Sequence, residues 1–162
     1  MGMKKTAATD NYWADFVSAT SIVDDGYTVV VLGEGAAMAD ELAGLVVSGR
    51  KRATASLRRD YGAGKDPLPQ PGDFVMVVDS GGRPSCIWRT TEIVVKSLIA
   101  CDDAFAWDEG EGDRSRDWWL SAHRAYFSAQ ARREGFAMSD TIETVFERFE
   151  VVWPPGIDEL TI

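Results

Sequence analysis

Several things are scarce in these 162 residues, and each scarcity closes a class of function. Cysteine occurs twice, as Cys86 and Cys101, too few for a disulfide framework or a cysteine zinc site. Histidine occurs once, as His123, so a histidine-rich metal centre is impossible. Apolar runs such as 27–32 fall far short of a membrane span. The charged N-terminus is not followed by an apolar stretch of the secretory kind, so a cytoplasmic chain with reduced thiols is expected. Basic residues are outnumbered, 17 against 26 acids, giving a formal charge of −9 and arguing against general binding to duplex DNA. No P-loop, GxGxxG, HExxH or GxSxG occurs; Gly33-Glu34-Gly35 reads as a turn.

What is present is the composition of a single globular domain, 45% apolar and 27% charged. The segmentation expected is a flexible N-terminus over 1–10, one domain over 11–156 and a tail over 157–162. A helix is expected over 11–20, with Asp10 as its cap, and a buried strand over 27–32. A second helix over 36–48 ends at Gly49. A Gly/Pro-rich loop spans 61–72, closed by Pro71-Gly72-Asp73. Strands over 74–79 and 86–95 flank the hairpin turn Ser80-Gly81-Gly82-Arg83. A helical turn over 102–107, a long helix over 115–134 and a last strand over 141–153, central or bulged, complete the chain. Hairpin-like links outnumber helical crossovers, which favours an α+β domain with a mixed or antiparallel curved sheet of five or six strands over a doubly wound fold.

Two stretches carry chemistry. Gly49 to Arg59 holds Arg50, Lys51, Arg52, Arg58 and Arg59 without an acid. Part of this run complements a helix C-terminus. The rest makes a local cationic island suited to a small anion or a few nucleotides. Like charges lower a lysine's pKa, so Lys51 can act as a base toward the hydroxyl of Thr54, provided a turn or bulge after Gly49 brings them together. The second stretch packs Asp108, Glu109, Glu111 and Asp113 around two glycines. It does not fit a calcium EF-hand; its plain reading is an acidic turn into the following helix. The plain reading of His123 is likewise a helix histidine among aromatics.

Gly49-x-Lys51-x-x-Thr54 after a short helix, the Pro71-Gly72-Asp73 turn, and Phe105-Ala106-Trp107-Asp108-Glu109-Gly110-Glu111-Gly112-Asp113 ahead of Trp118-Trp119 and His123 together resemble the ASCH domain family of the PUA-like superfamily, over roughly 13–153. The resemblance implies a small PUA-like mixed β-barrel flanked by helices, with a cleft lined by the lysine segment. It implies association with RNA: binding, ribonuclease activity, or removal of the acetyl group from N4-acetylcytidine in short members, where a Lys, a Thr and a Glu are catalytic. These map to Lys51, Thr54 and Glu109, with Glu111 the alternative acid. This chain is about half as long again as those short members.

The expected role is a hydrolase acting on single-stranded RNA or a modified nucleoside; the alternative is a binding module using the same cleft. Arg50, Arg52 and Arg58 are expected to meet phosphate unequally, Trp107, Trp118 and Tyr126 to stack bases, and His123 and Ser128 to assist. Trp119 is expected to anchor the core, with Trp118 or Trp107 walling the site. No cofactor is evident, no metal site is expected, and whether a divalent ion is required stays open.

Overall fold

The computed structural model describes residues 2–159; Met1 and residues 160–162 of the expected tail lie outside the described residues. Six strands and four helices follow one another as β1 (Gly2–Met3), α1 (Ala7–Thr20), β2 (Thr28–Val30), α2 (Ala36–Val47), β3 (Ala53–Leu57), β4 (Phe74–Val78), β5 (Pro84–Ser97), α3 (Asp103–Glu109), α4 (Arg116–Glu134) and β6 (Glu143–Trp153). The sheet order is β1-β2-β4-β5-β6-β3. Only β2 and β4 run parallel among these neighbours. This is the α+β domain with a curved sheet expected from the hairpin-rich order of elements, its six strands curled into a half-barrel. No helix of the described chain is long and apolar enough to cross a membrane.

β5 and β6 form the spine. Their register shifts between Ile87 and Trp88 and again between Thr90 and Glu92. Bulges increase local twist and bend a strand, and these curl the sheet so that its two ends approach. The free edges, β1–β2 at one end and β3 at the other, face each other across a cleft lined by residues of both.

Three apolar layers hold this shape. α1 packs Trp13 and Phe16 on Tyr27 and Phe74, with Trp13 and Tyr27 stacked at 4.9 Å. It starts earlier than expected, because Thr6 rather than Asp10 makes the cap and shares reciprocal hydrogen bonds with Thr9. α2 lays Leu42, Ala43 and Val46 on Val75, Val77 and Trp88. α3 and α4 cover the far side, where Phe105, Trp119, Leu120 and Phe127 meet Ala53, Leu57 and Phe146. Each large side chain buried this way contributes roughly 1.5–3 kcal/mol.

Alternation along β3 divides its residues between two sides. Ala53 and Leu57 join the α3/α4 layer, while Thr54 and Ser56 line the cleft.

Candidate functional site

α2 ends at Val47 with Ser48 as its cap, and Gly49 follows with φ of +80°, a left-handed turn that reverses the chain. The amides of Arg50 and Lys51 then both donate to the Leu45 carbonyl, at 3.1 and 3.0 Å. This short return aims Lys51 inward, where it is 1% exposed. The Arg52 amide donates to the Asp108 carbonyl at 2.7 Å, tying the segment to α3.

α3 is capped by Asp102, whose carboxylate accepts from the Phe105 amide, and ends at Glu109. Gly110 is left-handed, with φ of +72°, and a Cβ there would run into the Arg50 carbonyl. Glycine is therefore needed for the close approach of the two loops. Arg50 bridges that approach, donating to the carbonyls of Gly110 at 2.7 Å and Gly112 at 3.0 Å. Arg114 lies over the Trp107 ring at 3.9 Å and donates to the Trp107 carbonyl at 2.9 Å. Trp118 rests against Gly112.

Within this frame four ionisable side chains converge. Lys51 Nζ meets Glu111 Oε2 at 2.7 Å and Glu109 Oε1 at 3.5 Å. Glu109 Oε2 accepts from Trp119 Nε1 at 2.7 Å and faces His123 Nε2 at 3.2 Å. His123 Nδ1 is 2.9 Å from the Trp119 carbonyl, and its ring stacks on Trp119 at 3.9 Å. Both histidine nitrogens thus face acceptors, an arrangement satisfied when both carry protons.

Burial alone would drive each of these groups toward neutrality. For Lys51 the two carboxylates outweigh burial and raise its pKa. For Glu109 the charges of Lys51 and His123 outweigh burial and lower it. Burial lowers His123, but Glu109, Glu111 and the Trp119 carbonyl together raise it by more, so it too titrates above its ordinary value. For Glu111 burial, helped by Glu109, outweighs the lowering by Lys51, so its pKa is raised while that of Glu109 is lowered. The expected lowering of Lys51 by neighbouring cations is therefore reversed, because its nearest neighbours are carboxylates from another part of the chain.

Donor atoms of Glu109, Glu111 and His123 lie within 4.8 Å of one another, close enough for a cation. The Lys51 ammonium already bridges the two carboxylates. A metal ion would have to displace it and strip a proton from His123.

The cleft between the sheet edges encloses about 510 Å³ and is lined by Thr54, Tyr61, Trp88, Tyr126, Gln130 and Glu147 among others. Glu147 is 6% exposed and sits opposite Thr54 in the β3–β6 register. Its Oε2 accepts from Thr90 Oγ1 at 2.7 Å, and burial pushes its pKa upward. Ser56 Oγ and Tyr61 OH are 2.7 Å apart, and Gln130 donates to Asp60 at 2.8 Å.

The expected residues therefore fall into separate groups. Lys51, Glu109, Glu111 and His123 form one buried network. Thr54 and Tyr126 line the cleft, and among the described residues Lys51 Nζ is bonded to the two glutamates rather than to Thr54. The arginines are largely engaged within the chain. Arg50 holds the acidic loop, Arg52 pairs with Asp108 at 3.5 Å, Arg58 donates to the Tyr61 carbonyl at 3.2 Å, and Arg59 lies over Phe136. Trp107 and Trp118 are exposed beside the loop, and Ser128 is half-buried on α4 outside the described cleft lining.

Glu147, Thr90, Tyr61 and Gln130 escaped the sequence reading. A signal for Glu147 does exist: it interrupts the inward row Val145, Phe149, Val151 of β6 with a carboxylate.

A family model described as the ASCH domain matches residues 28–153. The crystal structure of an ASCH domain from Lactobacillus crispatus JV V101 superposes with a TM-score of 0.84 at 30% identity, covering 93% of this chain and 97% of that one. A crystal structure of a protein from Enterococcus faecalis V583 superposes with a TM-score of 0.80 at 27% identity, covering 90% of this chain and 92% of that one. No curated protein matches the chain.

Proposed function

Because the chain belongs to the ASCH domain family, we propose that it acts on RNA, as a hydrolase of a modified nucleoside or of single-stranded RNA. The observation that carries this reading is the position of Thr54, a hydroxyl in a cleft of about 510 Å³ walled by Tyr61, Trp88 and Tyr126. That volume suits a small molecule of nucleoside size, and aromatic walls accept a base face. Asp60, Asp66, Asp73 and Glu147 outnumber Lys4 and Lys5 around the cleft. Acids attract amine-bearing base edges and repel phosphate, which favours the modified nucleoside over the RNA backbone as the group that enters.

In this reading Thr54 attacks the acyl carbon, and the Lys51 network supplies structure, holding the start of β3 against α3 and α4. Glu111, 17% exposed in its side chain against 1% for Lys51, is the member nearest solvent. Trp107 and Trp118 offer stacking faces for flanking nucleotides outside the cleft. The burial of Lys51 favours a second reading, a binding module in which the network is purely architectural.

Incubation with N4-acetylcytidine and with a short single-stranded RNA separates the two. Turnover of either by the wild type, lost in Thr54→Ala with melting unchanged, is the expected result for an enzyme. Binding of both ligands without turnover by the wild type assigns the module.

A further inference from the structure

Lys51 is ill-placed to receive a proton, since its ammonium is held by two carboxylates. A hydroxyl nucleophile needs a base within reach, itself oriented by a third group. One such carboxyl lies in the cleft and has no part in the Lys51 network. Glu147 pairs directly with Thr54 across β3 and β6. Directly opposed residues of an antiparallel pair share a face, with Cβ atoms about 4.5–5.5 Å apart. A carboxylate and a hydroxyl at that spacing lie within reach of one another through one water. Thr90 Oγ1 fixes Glu147 Oε2 from the neighbouring strand, and the Trp88 side chain also lies beside this carboxylate. No cation neutralises Glu147 among the described residues, and it is 6% exposed.

We propose that Glu147 is the proton acceptor for Thr54, oriented by Thr90, so that Thr54, Glu147 and Thr90 form a nucleophile–base–orienter series across three strands. This rests on the hydrolase reading above. The Thr54 O–H bond breaks as its proton passes to Glu147, and Oγ1 bonds to the acyl carbon. The C–N bond then breaks, with the proton moving from Glu147 to the departing nitrogen and an acyl ester left on Thr54. Water adds to the ester while giving a proton to Glu147. The acid departs as that proton returns to Thr54. Burial, which raises the pKa of Glu147, makes it a stronger base than an exposed carboxylate.

The test uses p-nitrophenyl acetate on the full chain, with the acetylated residue located by peptide mass spectrometry. The wild type is expected to carry acetyl on Thr54, at a rate that rises as pH passes through the titration of one carboxyl. Glu147→Gln is expected to slow labelling at least a hundredfold, within the range of general-base contributions. Thr90→Val, which removes only the orienting hydroxyl, is expected to slow labelling and move the carboxyl limb of the pH profile. Melting curves for both variants accompany the rates. Labelling in Glu147→Gln within tenfold of the wild type overturns the assignment, as does wild-type label absent from Thr54. If Glu147→Gln does not fold, an unchanged rate and pH profile in Thr90→Val overturns it instead. Because the ester reports on Thr54 without a nucleoside, failure of the nucleoside substrate and failure of Glu147 as base give different results.

Discussion

Lys51 concentrates more consequence than any other single residue. Removing one partner of a buried ion pair strands the other charge and costs roughly 3–5 kcal/mol. Lys51→Met is expected to lose about that much in denaturant unfolding, with much recovered in the double variant Lys51→Met/Glu109→Gln. Loss of activity in a lysine variant alone is therefore no evidence of catalysis. The network also writes a pH signature. The raised pKa of His123 contributes stability fully present below its ordinary value and lost as pH rises through the raised one. The lowered pKa of Glu109 contributes stability present above its ordinary value and lost as pH falls through the lowered one. Glu111, raised, opposes Glu109 over the acid range. The melting temperature is thus expected to fall on the alkaline side of about pH 6.5, and His123→Gln is expected to flatten that limb in a pH series.

At the scale of elements, α4 displays its two adjacent indoles very differently. Trp119 is 1% exposed, packed against Phe105 and Phe146, and donates to Glu109. Trp118 is 36% exposed and covers Gly112. Adjacent helical positions differ by 100°, which is why one indole enters the core and the other cannot. Trp119→Ala is expected to cost roughly 3–5 kcal/mol for the volume lost, and about 1–3 more for the donor taken from Glu109. Trp118→Ala is expected to cost under about 1 kcal/mol in stability and roughly 1–3 kcal/mol in RNA affinity if a base stacks there. Melting and binding measurements on both variants check this, and unchanged RNA binding in Trp118→Ala removes that surface from the interface. Much of this element was legible in the sequence, since Ser115 and Gly135 cap it and Trp119, Ala122, Tyr126 and Ala129 recur at helical spacing. The partners of its polar groups were not. Lys51 finds Glu109 and Glu111 58 and 60 residues away, and Thr54 finds Glu147 only through the β3–β6 register. Local spacing shows which residues share a face; it does not show which distant strand supplies the other half of a site.

Across the whole molecule, charge and shape limit what binds and how. The formal charge is −9, and Arg50, Arg52, Arg58 and Arg59 are already engaged with carbonyls, a carboxylate or a ring. These contacts compete with phosphate for the four guanidinium groups of the cationic island, so few counterions are expected to be released by it on binding RNA. Each neutralised phosphate of a single strand contributes a slope of about −0.7 in log K against log salt. The slope expected here is shallower than about −2; a salt titration giving a steeper value assigns the arginines to the phosphate backbone after all.

The cleft lies in the gap between the two outer edges of the sheet rather than within a ladder. Its walls, β1–β2 on one side and β3 on the other, are joined around the curl through β4, β5 and β6. The gap therefore behaves like the slit of a split ring. Widening it bends the strands and loosens side-chain contacts but breaks no ladder hydrogen bond between the two described edges. Resistance to opening is elastic, and the slit can accept guests of different thickness without unzipping the sheet.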